Sequence, residues 1–374
     1  MPDARSRLFA CKNIYDLSGT EALFVEAVKD SVLHHSRNCG FYAGLLKQRN
    51  FNIDLIRRAE DCAKIPAIPA SFFKYHEVLS VSEDDIDVHA TSSGTQGQKS
   101  QMFYDKNSIS AGIHMVTNVM RYFGFISFWP TNYIMLGYEP SDENEMGSVK
   151  TAVGMTRFAP AIKKVFVLRH TASGYEINRF GILEALQRFG KEGWPLRLIG
   201  FPFYLYYMLK LMKDEGIEPL KLNKRSLVLL GGGWKQFDEL TIEKGTLYEM
   251  TEEMLGIPMK NCRDFYSAVE HSVAYAECEN HHMHAPIWSR VFIRDVRTLE
   301  PLGYGQPGFL SFVTPLVTSA PLTSVIMGDL AVMHEGKTCG CGIETPYFKV
   351  IGRAGTSRMR SCAIAASEFA GEVL

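Results

Sequence analysis

The chain reads as an α/β protein with a parallel-sheet core and an antiparallel β subdomain. Two features predict this. From residue 133 onward, short apolar runs at 133–136, 165–168, 196–199 and 227–230 are separated by helix-length stretches such as 202–215 and 237–255. Strand–helix alternation of that kind builds a largely parallel sheet with helices on its faces. Beyond Cys278 the texture changes: 291–293, 308–313 and 324–332 alternate apolar with small or polar residues and carry Gly and Pro turns. That pattern belongs to antiparallel strands with two unlike faces.

Ahead of both lies a helical segment. Ala22, Leu23, Val25, Ala27, Val28, Val32 and Leu33 recur near the 3.6-residue helical period, and a second helical stretch covers 41–47. Ile65-Pro66-Ala67-Ile68-Pro69 ends this region, because proline removes a donor and blocks the preceding turn. At the other end, Ile351-Gly352-Arg353-Ala354-Gly355 makes a turn before a short tail. There is no internal repeat, low-complexity tract or long polar linker.

Bulk properties exclude several functions. The 374 residues suffice for one large or two ordinary domains. Forty basic residues against 41 acidic ones give a formal charge of −1, which offers no electrostatic footprint for nucleic acid or for an anionic membrane. No apolar run reaches the roughly 18 residues that a membrane helix needs; the densest, 201–212, stops at Lys213-Asp214-Glu215. The N-terminus lacks the apolar core and cleavage site of a secretion signal, so a cytoplasmic protein is expected. Cysteines at 11, 39, 62, 262, 278, 339, 341 and 362 are too scattered for a disulfide framework and read as free, metal-bound or reactive thiols.

The segment Thr91-Ser92-Ser93-Gly94-Thr95-Gln96-Gly97-Gln98-Lys99 concentrates hydroxyls, glycines and a lysine. Glycines let backbone N–H groups turn toward a phosphate, hydroxyls donate further bonds, and the lysine adds positive charge. Only Thr95 and Gln96 separate Gly94 from Gly97, so this is not a Walker loop. Composition alone would equally suit a surface loop rich in Ser and Gly. A second cluster joins Cys339-Gly340-Cys341-Gly342 to Cys278-Glu279-Asn280-His281-His282-Met283-His284. Three of these thiols and one histidine make a Cys₃His set for a structural zinc, with no coordination position left open for catalysis.

The loop resembles the Ser/Thr-Ser-Gly-Thr-Thr/Ser-Gly-x-x-Lys loop of acyl-adenylate-forming ligases, and further segments follow it in that superfamily's order. Leu230-Gly231-Gly232-Gly233-Trp234-Lys235 resembles the adenine-contacting turn, and Tyr266 with Glu270 the aromatic-x-x-x-Glu motif whose glutamate holds Mg²⁺. Gly328-Asp329 resembles the pair that grips the ribose, and Gly352-Arg353 the Gly-Arg near the hinge. The resemblance implies the large N-terminal-type domain of these enzymes, over residues 65 to 365.

Within the superfamily the chain is most similar to the LuxE-type acyl-protein synthetases, the fatty-acyl ligase component of bacterial fatty-acid reductase systems. This rests on Ile68-Pro69-Ala70-Ser71-Phe72-Phe73-Lys74, on Gly231-Gly232-Gly233-Trp234-Lys235, on His284-Ala285-Pro286-Ile287-Trp288 and on Arg360-Ser361-Cys362-Ala363-Ile364-Ala365. The resemblance implies ATP and Mg²⁺ as cofactors, a carboxylic acid as substrate and Cys362 as the thiol that accepts the acyl group. It implies an acyl-reductase partner and leaves a homo-oligomer open. The His-x-Pro-x-Trp match selects His284 as the histidine ligand beside Cys278, Cys339 and Cys341, in a site similar to the zinc site of phenylacetate–CoA ligase-like enzymes. The sequence stops 12 residues after Cys362, where other adenylate-forming ligases continue into a small domain with a catalytic lysine. Lys235 and Lys99 are the remaining candidates for that role.

These readings divide the chain into a helical segment at 1–64 packed on the core and an α/β nucleotide-binding core at 65–277. A β subdomain with the zinc site follows at 278–350, then a hinge-like turn and tail at 351–374 that carry Cys362. Two other functions stay open: an acyl- or aryl-CoA ligase of the phenylacetate type, and a non-catalytic nucleotide-binding scaffold of a reductase complex. Retention of Glu270, Asp329 and Lys235 argues against the scaffold.

Overall fold

A computed structural model describes residues 3–91, 100–141, 147–234 and 241–354. Three helices open the chain: α1 (Ala4–Phe9), α2 (Leu17–Asn38) and α3 (Gly40–Gln48). The first two start where an aspartate caps free backbone donors: Asp3 accepts from the Ser6 N–H, and Asp16 from that of Gly19. The buried face of α2 carries Phe24, Val25, Ala27, Val28, Val32 and His35, whereas Ala22 lies outside it.

After β1 (Ile68–Pro69), β2 (Ile86–Thr91) and β3 (Gln101–Asp105) form an antiparallel hairpin around the hydroxyl-rich loop, and α4 (Lys106–Tyr122) follows at once. The main sheet then forms from β4 (Thr131–Tyr138), β5 (Ala161–Thr171), β6 (Gly174–Ile177), β7 (Leu196–Gly200), β8 (Leu227–Gly231), β9 (Cys262–Ala268) and β10 (His271–Ala276). Its spatial order is β10-β9-β8-β7-β4-β5-β6. The inner strands β5, β4, β7, β8 and β9 run parallel, and β6 and β10 close the edges antiparallel. Helices α5 (Gly147–Met155), α6 (Arg179–Glu192), α7 (Pro202–Asp214) and α8 (Lys244–Leu255) connect these strands.

The alternation of side chains along β4 explains why both faces are covered. Ile134 and Leu136 enter a core with α6, α7 and α8, while Tyr133 and Met135 enter another with Met120 of α4 and Met155 of α5. The apolar run at 133–136 is thus a strand buried on both sides.

The second sheet has the order β11-β15-β14-β13-β12, from β11 (Met283–His284), β12 (Arg290–Arg294), β13 (Pro307–Val313), β14 (Ser324–His334) and β15 (Tyr347–Arg353). These strands pair antiparallel, and β1 adds to β14 in parallel. Its core is shared with the N-terminal helices: Phe24, Val28 and Tyr42 cluster with Val273, Tyr275, Trp288, Leu310, Phe312 and Val325. Phe9 stacks on Trp288 with centroids 5.9 Å apart. The opening helices therefore belong physically with the antiparallel sheet, at the far end of the sequence.

Candidate active site

Parallel strands deliver their loops to one end of the sheet, and the glycine-rich turn after β8, the start of the hydroxyl-rich loop and the Glu270 turn gather there. At the end of β8 the chain turns through Gly232 and Gly233, at φ 81° and 69°, a left-handed conformation that residues with a Cβ rarely adopt. Trp234 then packs against Phe203 and Tyr206 of α7, with centroids 6.4 and 5.8 Å away. A Cβ on Gly231 would stand 3.4 Å from the Phe265 carbonyl, so this turn lies directly against β9. Thr91, at the end of β2, has its carbonyl 3.8 Å from where a Cβ on Gly147 would sit. The hydroxyl-rich loop thus starts beside the first residue of α5, beyond the end of β4.

One polar network joins the two sheets. Tyr266 of β9 donates its hydroxyl to Asp329 Oδ2 of β14 at 2.9 Å. Arg353 of β15, the cross-strand neighbour of Asp329, places Nε 3.2 Å from Oδ1. Burial holds the Tyr266 phenol well above its ordinary range and the Asp329 charge adds to this, so the phenol remains a donor. Asp329 keeps 13% of its side chain exposed, enough for its oxygens to meet a ligand.

Glu270 lies in the turn between β9 and β10 and is 8% exposed. Among the described residues no lysine, arginine or histidine pairs with it. A nearly buried carboxylate with no cationic partner among the described residues suits a cation. Tyr104 of β3 clamps this turn. Its hydroxyl donates to the Val269 carbonyl at 2.5 Å and lies 2.6 Å from Ser272 Oγ. With the phenol proton committed to Val269, the serine is the donor in the second bond. The base of the same hairpin is tied down as well. Asp105 accepts from the Ser108 N–H at 3.0 Å and from the Thr318 hydroxyl at 2.9 and 2.7 Å, and Ser319 donates to the Phe103 carbonyl at 2.5 Å. The strands flanking the hydroxyl-rich loop are therefore braced against both the Glu270 turn and the antiparallel sheet.

A further charged cluster was invisible in sequence. Glu277 is fully buried and accepts from the Lys244 ammonium, from the Tyr248 hydroxyl at 3.1 Å and from the Asp264 N–H at 2.8 Å. Burial opposes its charge, yet the His281 ring, with Nδ1 3.5 Å from Oε2, and the Lys244 ammonium hold its carboxyl below the usual range. Asp264, half-buried beside that charge, is pushed up to about 6 by desolvation and by the Glu277 carboxylate. The cluster fixes the start of α8 against β9, just upstream of Tyr266.

Cys278, His284, Cys339 and Cys341 converge, with their ligand atoms all within 4.8 Å of one another. Cys278 Sγ is 3.5 Å from Cys339 Sγ, and Cys341 Sγ is 3.4 Å from His284 Nε2. Tetrahedral zinc with Zn–S near 2.3 Å spaces its ligands by roughly 3.8 Å, so the donor set fits that ion. His284 Nδ1 donates to the Thr345 carbonyl at 2.7 Å, which fixes the tautomer and leaves Nε2 to bind metal. Gly340, between the two thiols at φ 77°, and Gly342, just beyond them at φ 87°, let the chain turn tightly around Cys341. His282 Nδ1 lies 3.0 Å from Cys339 Sγ and stacks on Tyr347, as an outer partner of the sulfur.

Ser92, Ser93, Gly94, Thr95, Gly97, Lys99, Lys235 and Cys362 lie outside the described residues. His271 is a core residue: its ring stacks on Phe312 at 4.0 Å, its Nε2 meets the Tyr275 hydroxyl at 2.8 Å, and burial lowers its pKa to about 3. In α7, Tyr204, Leu205, Met208, Leu209 and Leu211 are buried, so most of that aromatic-rich segment is core too. Tyr104, Lys244 and Glu277 are the residues that motif reading missed. Only Asp105, placed to cap α4, hinted that the hairpin would be anchored.

Known structures share this architecture. A 2-hydroxyisobutyryl-CoA ligase in the postadenylation state, in complex with 2-HIB-AMP, superposes with a TM-score of 0.65 at 16% identity, covering 92% of this chain and 70% of that one. Its open conformation, in complex with 2-HIB-AMP and CoA, gives 0.64 at 17% identity, covering 91% and 76%. The fold is that of the adenylate-forming ligases. The family model for the acyl-protein synthetase LuxE matches residues 12–370, and the chain belongs to that family. Among its relatives, the long-chain-fatty-acid–luciferin-component ligase of Vibrio harveyi is 24% identical over 312 residues, 83% of this chain and 79% of that protein. The ligase of the same name from Aliivibrio fischeri is 26% identical over 306 residues, 80% and 77% of the two chains. A phenylacetate–coenzyme A ligase of Thermus thermophilus is 24% identical over 327 residues, 85% and 67%. Among the described residues no helix is long and apolar enough to cross a membrane.

Proposed function

We propose that this chain activates a carboxylic acid, a fatty acid by analogy with its relatives, as an acyl-adenylate, and passes the acyl group to the thiol of Cys362. The observation that carries the reading is the family match over residues 12–370, on the fold of ligases solved with acyl-adenylates. A carboxylate oxygen attacks the α-phosphorus of ATP, the bond to the β-phosphate oxygen breaks, and pyrophosphate leaves. The thiolate then attacks the acyl carbonyl, AMP departs with the electron pair of the acyl–oxygen bond, and a thioester remains.

Thr91, Ser92, Ser93, Gly94, Thr95 and Gly97 would cradle phosphate oxygens, with Lys99 and Lys235 the candidates to stabilise charge on the departing pyrophosphate. Gly231, Gly232 and Gly233 would border the base together with Tyr266, and Asp329 would accept the ribose hydroxyls beside Arg353. Glu270 would hold Mg²⁺, whose chemistry is to neutralise phosphate charge. Cys278, His284, Cys339 and Cys341 would hold a structural zinc that cross-links β11 to the turn before β15. The protein is expected in the cytoplasm, delivering its thioester to an acyl reductase.

The relationship to phenylacetate–coenzyme A ligase supports a second reading, with CoA as the final thiol. Intact-mass measurement after incubation with ATP, Mg²⁺ and a panel of carboxylic acids separates the two. A hydroxylamine-sensitive adduct that Cys362→Ser abolishes supports self-acylation; acyl-CoA formed equally by the variant supports the alternative. For zinc, elemental analysis should give about one ion per chain, falling to near zero in Cys339→Ser. A metal content unchanged by that substitution would remove the site.

A further inference from the structure

The opposite end of the parallel sheet carries a surface that neither the motifs nor the fold comparison explains. The loops entering β4, β5, β7, β8 and β9 are stitched into one platform. Ser127 N–H donates to Phe158 O at 2.8 Å, Thr131 N–H to Pro160 O at 2.8 Å, and Asn132 N–H to Pro195 O at 2.9 Å. Asn223 reaches the Gly193 carbonyl at 2.9 Å, and Asn261 reaches those of Lys224 and Ser226 at 3.0 and 3.1 Å.

This braced backbone presents large apolar groups to water. Phe128 is 93% exposed, Trp129 52%, and Ile162 and Trp194 40% each. The Arg225 guanidinium lies 4.7 Å over the Trp129 ring. Charge on the residues immediately ahead of these strands is one-sided, whereas the loop into β8 begins farther back with Glu215, which pairs with Arg179, and Glu218. Across 123–130, 156–164, 192–195, 223–226 and 258–261 the ionisable residues are Arg157, Lys163, Lys164, Lys224, Arg225 and Lys260, against the one carboxylate of Glu192. That carboxylate is already engaged, accepting from Asn132 Nδ2 at 3.0 Å and lying 3.6 Å from Arg188 Nε. A chain of formal charge −1 has therefore set a basic, aromatic face at one end of its sheet.

We propose that this face docks on an anionic lipid surface. A phenylalanine 93% exposed has almost no contact with its own chain and sits in no pocket of it. A partner protein would have to supply the whole of its complementary pocket, whereas a bilayer interface accepts a protruding ring without one. Tryptophan and phenylalanine with neighbouring lysine and arginine form the side-chain set that favours the headgroup boundary, where aromatic rings insert and cations meet lipid phosphates. Docking in this pose would leave the nucleotide motifs, at the other end of the same strands, facing water. The inference does not depend on the proposed chemistry.

The test is co-sedimentation of the full chain with large unilamellar vesicles of pure phosphatidylcholine, or of phosphatidylcholine with phosphatidylglycerol. Binding is expected to the anionic vesicles alone, weakening steeply between about 50 and about 500 mM salt. In Phe128→Ser/Trp129→Ser the partition coefficient should fall at least about tenfold with an unchanged thermal melt. Lys163→Glu/Lys224→Glu, at exposed positions, should give a similar loss while keeping the aromatic rings. Absence of binding by the wild-type chain overturns the proposal, as does binding that both double variants retain. A dimer that dissociates only in the aromatic variant, without vesicle binding, would assign the face to a second copy. An acidic protein held through these residues, again without vesicle binding, would assign it to a protein partner.

Discussion

The two ends of the parallel sheet are built from the same strands and differ in almost everything else. Where the strands finish, the chain leaves through Gly231, Gly232 and Gly233, through the turn holding Glu270, and beside the loop that begins at Thr91. Gly231, Gly232 and Gly233 carry no Cβ to cover the backbone of that turn. Where the strands begin, the loops spend their backbone groups on one another, so their bulky residues point outward. Phe128 and Trp129 occupy one end, Tyr266 and Asp329 the other. The contrast shows how one sheet can separate chemistry from attachment: each end is designed independently, because the buried strands between them carry only packing.

Substitutions at one end should therefore leave the other's behaviour intact. The largest effect is expected for Asp329→Ala, which removes the acceptor for Tyr266 and the partner of Arg353. Pyrophosphate exchange dependent on the acid should fall between about tenfold and about a hundredfold, as for loss of a hydrogen bond to a charged group. Vesicle partition should not change; if it does, the two ends are coupled.

A smaller effect concerns the anchor of the loop hairpin. His35 is buried between Ser80, whose hydroxyl is 2.8 Å from Nδ1, and the Val317 carbonyl, 3.2 Å from Nε2. The carbonyl can only accept, so Nε2 carries the hydrogen and the ring is neutral. Burial and the neighbouring His34 lower its pKa from 6.5 to about 3, against weaker support for the charged form from Asp105. As pH drops below 6.5 the unfolded chain takes up a proton that the folded chain refuses. This histidine's contribution is thus fully present above 6.5 and is lost progressively toward 3. At pH 5 the loss is about 2 kcal/mol. Urea midpoints measured from pH 7 to 5 should decline, and His35→Gln should flatten that decline by about this amount.

Tyr104→Phe deletes one hydroxyl, worth about 1 kcal/mol, and should slow acyl-adenylate formation about fivefold, with the change falling mainly on the Mg²⁺ dependence. An equal loss at saturating Mg²⁺ would mean that the tyrosine serves folding rather than the Glu270 turn. The smallest effect belongs to Phe128→Ser/Trp129→Ser in pyrophosphate exchange without lipid, where less than about a twofold change is expected for a surface substitution.

The fold was largely legible because its signals are local. Each apolar run of the main sheet at 133–136, 165–168, 196–199 and 227–230 lies within a strand, and the change of texture after Cys278 marks the antiparallel sheet. Short contiguous motifs singled out Tyr266, Asp329 and Arg353, and the fold joins these three in one hydrogen-bonded network. What escaped detection depends on contacts between distant positions. Tyr104 meets Val269 across 165 residues and Lys244 meets Glu277 across 33, and neither pairing leaves a periodic trace. The same holds for the opening helices, whose amphipathic stripe says that they are covered without saying by what. The cysteine–histidine cluster is the instructive exception: its halves lie 61 residues apart at Cys278 and Cys339, yet thiols spaced around glycine announce themselves.

The hydrogen bond from Tyr266 to Asp329 runs from the parallel sheet to the antiparallel one. A ribose held on Asp329 and a base against Tyr266 would bridge the same gap, so nucleotide would act as a rivet between the two bodies. Its grip would then be read in their cohesion: at a hundred times its dissociation constant, bound nucleotide would add about 2.7 kcal/mol to the resistance of the sheets to parting.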